Sequence, residues 1–120
     1  MSNRRDISQM KESQVAKAWV NFNGRTTSSP FTVDNGGIRN SFNVSSVTDN
    51  GTGTYTVNLE NALDSSDYCV AGSAGDLTIT LGDRQLSAYP LTSSTCRVVT
   101  GQTASTAKYD SGTCNIVIYS

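Results

Sequence analysis

The chain has 120 residues, enough for one core and too few for two. Its hydrophobic content is 36%, while 17 serines and 15 threonines supply small hydroxyl side chains that suit strand faces and turns better than helix interiors. Charge is sparse and nearly balanced at a net -1, with Arg4 and Arg5 the only adjacent cations, so neither nucleic acid nor an anionic membrane is expected as a partner.

Residues 1–13 form a charged arm in which Ile7 and Met10 are the notable apolar residues. Asp6 or Ser8 could cap a short helix there, marginal by itself. Two readings stand side by side, a disordered tail and an arm that orders against a neighbouring subunit. The arm is polar, which argues against a secretory signal or membrane insertion. Residues 14–120 are expected to form the folded domain.

From residue 15 the pattern has a period of two. Ala16, Ala18, Val20 and Phe22 share one face of a predicted strand, and Val15, Lys17, Trp19 and Asn21 share the other. Asn23-Gly24 marks a turn. Phe31 and Val33 begin a short extended piece closed by Asp34-Asn35-Gly36-Gly37, whose residues tolerate positive φ. Ile38, Asn40, Phe42 and Val44 then alternate with Arg39, Ser41 and Asn43, and Ser46-Val47-Thr48 runs into a second tight turn at Asp49-Asn50-Gly51.

Tyr55, Val57 and Leu59 give the clearest half-buried strand, paired as a hairpin with the run before it. Asp64-Ser65-Ser66-Asp67 is a turn before Tyr68-Cys69-Val70-Ala71. Leu77, Ile79 and Leu81 predict another strand, Arg97-Val98-Val99 another, and Asn115-Ile116-Val117-Ile118-Tyr119 a closing one. The stretch 82–112 reads as the least regular, and Pro30 and Pro90 fall between runs. About eight short strands and no convincing helix after residue 13 predict an all-β, single antiparallel β-sandwich.

Candidate chemistry is thin. Without histidine there is no ordinary Ser-His or Cys-His pair and no His-containing zinc site. Cys69, Cys96 and Cys114 are widely spaced beside apolar runs and read as buried free thiols, with a Cys96–Cys114 cross-link the lesser reading. The aspartates occupy turn contexts, where an Asx side chain shapes the backbone, rather than the facing positions a glycosidase needs. Asp64 and Asp67 lack the dense alternating oxygens of a calcium loop. No cofactor, metal or catalytic residue is expected, and the chain is not read as an enzyme. Trp19, the single tryptophan, suits the core or a subunit interface equally, with stacking on sugar rings third.

The run Lys17-Ala18-Trp19-Val20-Asn21-Phe22-Asn23-Gly24, the block from Ile38 to Asn58 and the segment Asn61-Ala62-Leu63-Asp64-Ser65-Ser66-Asp67-Tyr68 are similar to a β-module of tailed-phage structural proteins. Within the second, the block 42–58 is the specific part of the likeness. The module often closes tail fibres, including those of phages of marine bacteria and cyanobacteria. The resemblance implies a virion protein made in the host cytoplasm, homotrimeric, with no catalytic residues to carry over.

On that reading Arg4, Arg5, Ile7 and Met10 attach the chain to other virion proteins. Val15 and Trp19 are candidates for the subunit interface. Arg84, Tyr89, Lys108 and Tyr109 are candidates for receptor-facing loops, the receptor being a host surface glycan or protein. The expected role is a tail-fibre or tail-tip component in host attachment. The alternatives are a capsid decoration or cement protein and, more remotely, a polysaccharide-degrading enzyme.

Overall fold

The computed structural model describes residues 15–76, 84–102 and 106–120; the predicted attachment residues Arg4, Arg5, Ile7 and Met10 and the predicted Leu77-Ile79-Leu81 strand lie outside them. The described chain forms eight strands: β1 (Ala16–Phe22), β2 (Ile38–Phe42), β3 (Val44–Gly51), β4 (Thr54–Leu59), β5 (Cys69–Gly75), β6 (Arg84–Thr92), β7 (Thr95–Gln102) and β8 (Thr113–Tyr119). They make two four-stranded sheets. Sheet A has the order β2-β1-β8-β5 and sheet B the order β3-β4-β7-β6, with every pairing antiparallel. The fold is the all-β, antiparallel two-sheet architecture that the alternation implies, and no described residue is helical.

The core lies between the sheets. Ala18, Val20, Phe22, Ile116 and Ile118 of sheet A face Val47, Tyr55, Val57 and Val98 of sheet B, all essentially without solvent contact. Each fully buried aliphatic or aromatic side chain stabilises the fold by about 1.5–3 kcal/mol relative to exposure. At one end, Phe22 of β1, Phe31 of the β1–β2 connection and Tyr55 of β4 form a three-ring cluster across the sheets, with centroids 5.3–6.2 Å apart. Phe31 also pairs with Val47 of β3 as an isolated bridge, so the predicted extended piece at 31–33 shrinks to one ladder position. Asn35 holds the following turn: its Oδ1 accepts from the N–H groups of Thr32 and Gly37.

The corrections to the sequence reading have local causes. The run 38–48 is two strands, because Asn43 adopts φ 57° and turns the chain from sheet A into sheet B. Its side chain pins that corner. Nδ2 donates to the carbonyls of Lys17 and Asn61, and Oδ1 accepts from the Asn61 N–H at 2.8 Å. The strict alternation from Ile38 also fails. Phe22 pairs with Ile38 and Asn21 with Asn40, leaving Arg39 as an extra residue. That β-bulge flips the parity, so Ile38 is buried while Asn40 and Phe42 face out.

The stretch expected to be irregular contains two regular strands, β6 and β7. Leu86 and Ala88 pack against the core while Ser87 and Tyr89 point outward, and Pro90 sits within β6, at the edge of sheet B, where its missing N–H is tolerated. All three cysteines are free thiols, yet only Cys96 and Cys114 are buried; Cys69 is exposed because it falls on the outer face of the edge strand β5.

Candidate binding face

Sheet A carries its C-terminal strand β8 between β1 and β5, hydrogen-bonded on both sides. That position sets the outward side chains in cross-strand rows. Register pairs Phe42 with Trp19, Trp19 with Val117 and Val117 with Ala71, giving one continuous row across all four strands. The next row is Asn40, Asn21, Asn115 and Ser73. An apolar row therefore lies directly beside an amide and hydroxyl row. Neighbouring rows are about 7 Å apart, two residues along a strand.

The apolar row is open to solvent: Phe42 is 52% exposed and Trp19 37%. Trp19 is therefore excluded as a core residue. Tyr119, opposite Cys69, and Val15, just before β1, extend the exposed apolar surface. β5 contributes only the small residues Ala71, Gly72 and Ser73 here. The surface is consequently concave, with a cleft of about 420 Å³ lined by Trp19, Asn21, Ala71, Ser73, Asn115 and Val117 among others. Gly72 is required on the inner side: a Cβ there would lie 2.3 Å from the Asn115 carbonyl oxygen and 2.8 Å from Ile116 Cδ1.

The polar groups of the cleft have bonding capacity to spare. Asn21 Oδ1 accepts from Arg39 Nη1 at 3.1 Å, and Asn115 Nδ2 donates to Ser73 Oγ at 3.4 Å. The Asn21 amide donors and Asn115 Oδ1 have no partner among the described residues. Arg39 Nη2 donates to the Gly112 carbonyl at 2.7 Å, so the guanidinium is drawn to the end of the sheet.

Several other titratable groups hold the fold together. At the aromatic end of the core the Tyr55 hydroxyl donates to Asp110 Oδ1 at 2.6 Å, and the Gly53 N–H donates to the same oxygen at 2.8 Å. Burial, then the Asp110 contact, raises the Tyr55 hydroxyl far above its ordinary range. Arg25 forms an ion pair with Asp76, whose side chain is 5% exposed. At the opposite end the Tyr68 hydroxyl donates to the Thr95 carbonyl at 2.6 Å, and burial pushes it up to about 12. Burial likewise pushes the Cys96 thiol up to about 11 and the Cys114 thiol up to about 12, so neither is a thiolate nucleophile near neutrality. Among the described residues no three His, Cys, Asp or Glu side chains gather as metal ligands would.

The residues expected in receptor-facing loops do not form one group. Arg84 opens β6 with its guanidinium 5.4 Å from the Tyr109 ring centroid, and Lys108 bridges to Gly101 nearby. Tyr89 lies five residues further along β6, opposite Arg97 on the outer face of sheet B. Arg84 and Tyr89 are thus strand residues. Sequence reasoning singled out Trp19 and missed Asn21, Ser73 and Asn115. Asparagine in the middle of an apolar strand run, as in Val20-Asn21-Phe22 and Cys114-Asn115-Ile116, is the signal that pointed to them, since strands are depleted in it. No family model, curated protein or solved structure matches this chain.

Proposed function

We propose that the chain is a structural protein of a tailed-phage virion, acting at the fibre or tail tip, and that it contacts the host surface through the outer face of sheet A. The observation that carries the binding half of this reading is the exposed row Phe42–Trp19–Val117–Ala71 beside an amide row with unspent hydrogen-bonding groups. Exposed apolar surface organised in one patch and edged by polar groups marks a contact site. The virion half is supported by the sequence resemblance at residues 17–24, 38–58 and 61–68, and by an antiparallel β-sandwich of the kind that resemblance leads one to expect. On this reading the face, Trp19 included, serves the host contact rather than a subunit interface.

The test is immunogold electron microscopy of the phage that encodes the chain, with adsorption competition by purified protein. Label at the tail tip, with competition by wild-type protein and not by Trp19→Ala, is the expected result. Label over the head would make the chain a capsid decoration protein instead, and unlabelled particles would remove the virion reading altogether.

A further inference from the structure

The cleft on sheet A has a composition that selects among ligand chemistries. None of the residues that line it is ionisable. The lining supplies no charge, and the nearby Arg39 guanidinium is already held by Asn21 Oδ1 and the Gly112 carbonyl, so the site fits a neutral ligand. Its volume, about 420 Å³, falls in the range of small-molecule sites. Its walls are of two kinds. Trp19 offers a broad aromatic face flanked by Val117, and the amides of Asn21 and Asn115 with the Ser73 hydroxyl offer both donors and acceptors.

We infer that this cleft is a saccharide-binding site that takes a neutral pyranose unit of a host-surface glycan. A pyranose ring is amphipathic: its C–H face is apolar and its rim carries hydroxyls that each donate and accept. Stacked on Trp19, the ring meets an apolar surface. Its rim hydroxyls then reach the neighbouring row, about 7 Å along the strands, where the Asn21 amide donors and Asn115 Oδ1 are free of partners among the described residues. Ala71 and Ser73 leave the space beside the indole that a larger β5 side chain would fill. The cleft is open to solvent, so a ring inside a longer chain can enter it. This assignment names the ligand of the face proposed above and rests on that reading.

Trp19 is the single tryptophan, so its fluorescence reports this site alone. The full chain is titrated with three neutral trisaccharides, built of glucose, galactose and N-acetylglucosamine, and each is repeated by calorimetry. At least one should shift Trp19 emission saturably. Asn21→Ala and Asn115→Ala should each weaken that binding about ten-fold, the equivalent of one lost hydrogen bond, with the melting temperature unchanged. Trp19→Ala should abolish the calorimetric signal, and Thr56→Ala on the opposite sheet should leave it intact.

Absence of a response to all three sugars overturns the inference. So does binding that Trp19→Ala retains, or emission that shifts with protein concentration alone, which would mean a second copy covers the face. Labelled tail tips without a sugar response sink the ligand class only. A sugar response from a protein that labels no particle sustains the site and sinks the virion reading only.

Discussion

The outer faces of the two sheets arise from the same two-residue alternation and carry different chemistry. On sheet B the outward rows run Ser46–Asn58–Thr95 and Thr48–Thr56–Arg97–Tyr89. On the β3–β4 half these side chains satisfy one another, whereas Arg97 Nε, in the row that ends at Tyr89, has no hydrogen-bond partner among the described residues. Asn58 Nδ2 donates to Ser46 Oγ at 3.1 Å and to Thr48 Oγ1 at 3.0 Å, and the Thr56 hydroxyl donates to Asn50 Oδ1 at 2.7 Å. Sheet A sets an aromatic-rich row beside amides that keep unused donors and acceptors. A polar face whose groups pair internally has little left for a ligand, whereas an apolar row with open amides gains from being covered. Polarity alone therefore does not distinguish a binding face: sheet A joins a continuous apolar row to open neutral amides, whereas the open donor on sheet B is a guanidinium beside a single tyrosine.

Both faces stand on one core, so the largest expected effect abolishes the distinction. Val57 is fully buried between the sheets, and Val57→Asp places an unpaired charge there. A loss of more than about 4 kcal/mol is expected, enough to unfold the domain. Chemical denaturation read by circular dichroism checks this, and an unchanged midpoint would show the core is misassigned.

Alkaline pH acts on the core and the ends of the sandwich. The Cys96 and Cys114 thiols rise from 9.0 to about 11 and about 12, and the Tyr68 hydroxyl from 10.0 to about 12. A proton retained in the folded state after the unfolded chain has lost its own favours folding less as pH rises. Their contribution is thus complete below about pH 9 and drains away as pH climbs through 11 and 12. The urea midpoint should stay level from pH 7 to 9 and fall beyond it; a midpoint level to pH 11 would contradict the burial of both thiols.

Asn43 sharpens the comparison because it joins the two faces. Asn43→Ala keeps a left-handed backbone at a residue that disfavours it and removes four side-chain hydrogen bonds, costing about 3 kcal/mol. Asn43→Gly removes the bonds and relieves the backbone, so its cost should be smaller by about 1 kcal/mol. Equal losses would assign the corner to the side chain alone. Tyr55→Phe, which leaves Asp110 Oδ1 without its 2.6 Å donor, should cost about 1–3 kcal/mol.

The smallest effects fall on the faces themselves. Thr56→Val on sheet B should stay within about 0.5 kcal/mol, and Trp19→Ala on sheet A within about 1 kcal/mol, because neither side chain is in the core. Thermal melts of the two variants, run beside host-binding assays, separate stability from binding. A large loss of stability for Trp19→Ala would turn the apolar row back into a structural feature.

Much of this was legible locally. The Ala18-Val20-Phe22 face of β1, the Tyr55-Val57-Leu59 core side of β4, the turn at Asn23-Gly24 and the closing strand follow from alternation and turn chemistry within a few residues. The turn expected at Asp49-Asn50-Gly51 falls instead on Thr52-Gly53, residues 49–51 ending β3. The β6 strand was obscured because its inward residues, Leu86 and Ala88, are few and Pro90 interrupts it. The candidate site was legible only at Trp19.

What the sequence determined by itself is the class of fold, since side-chain period and turn residues act over short range. What the tertiary structure decided is parity and neighbourhood. One extra residue at Arg39 turned Phe42 outward, Asn43 carried the chain from one sheet to the other, and register brought residues 19, 42, 71 and 117 into a single row. A bulge or a ladder register depends on hydrogen bonds to strands distant in the chain, and that information is absent from any one stretch of it.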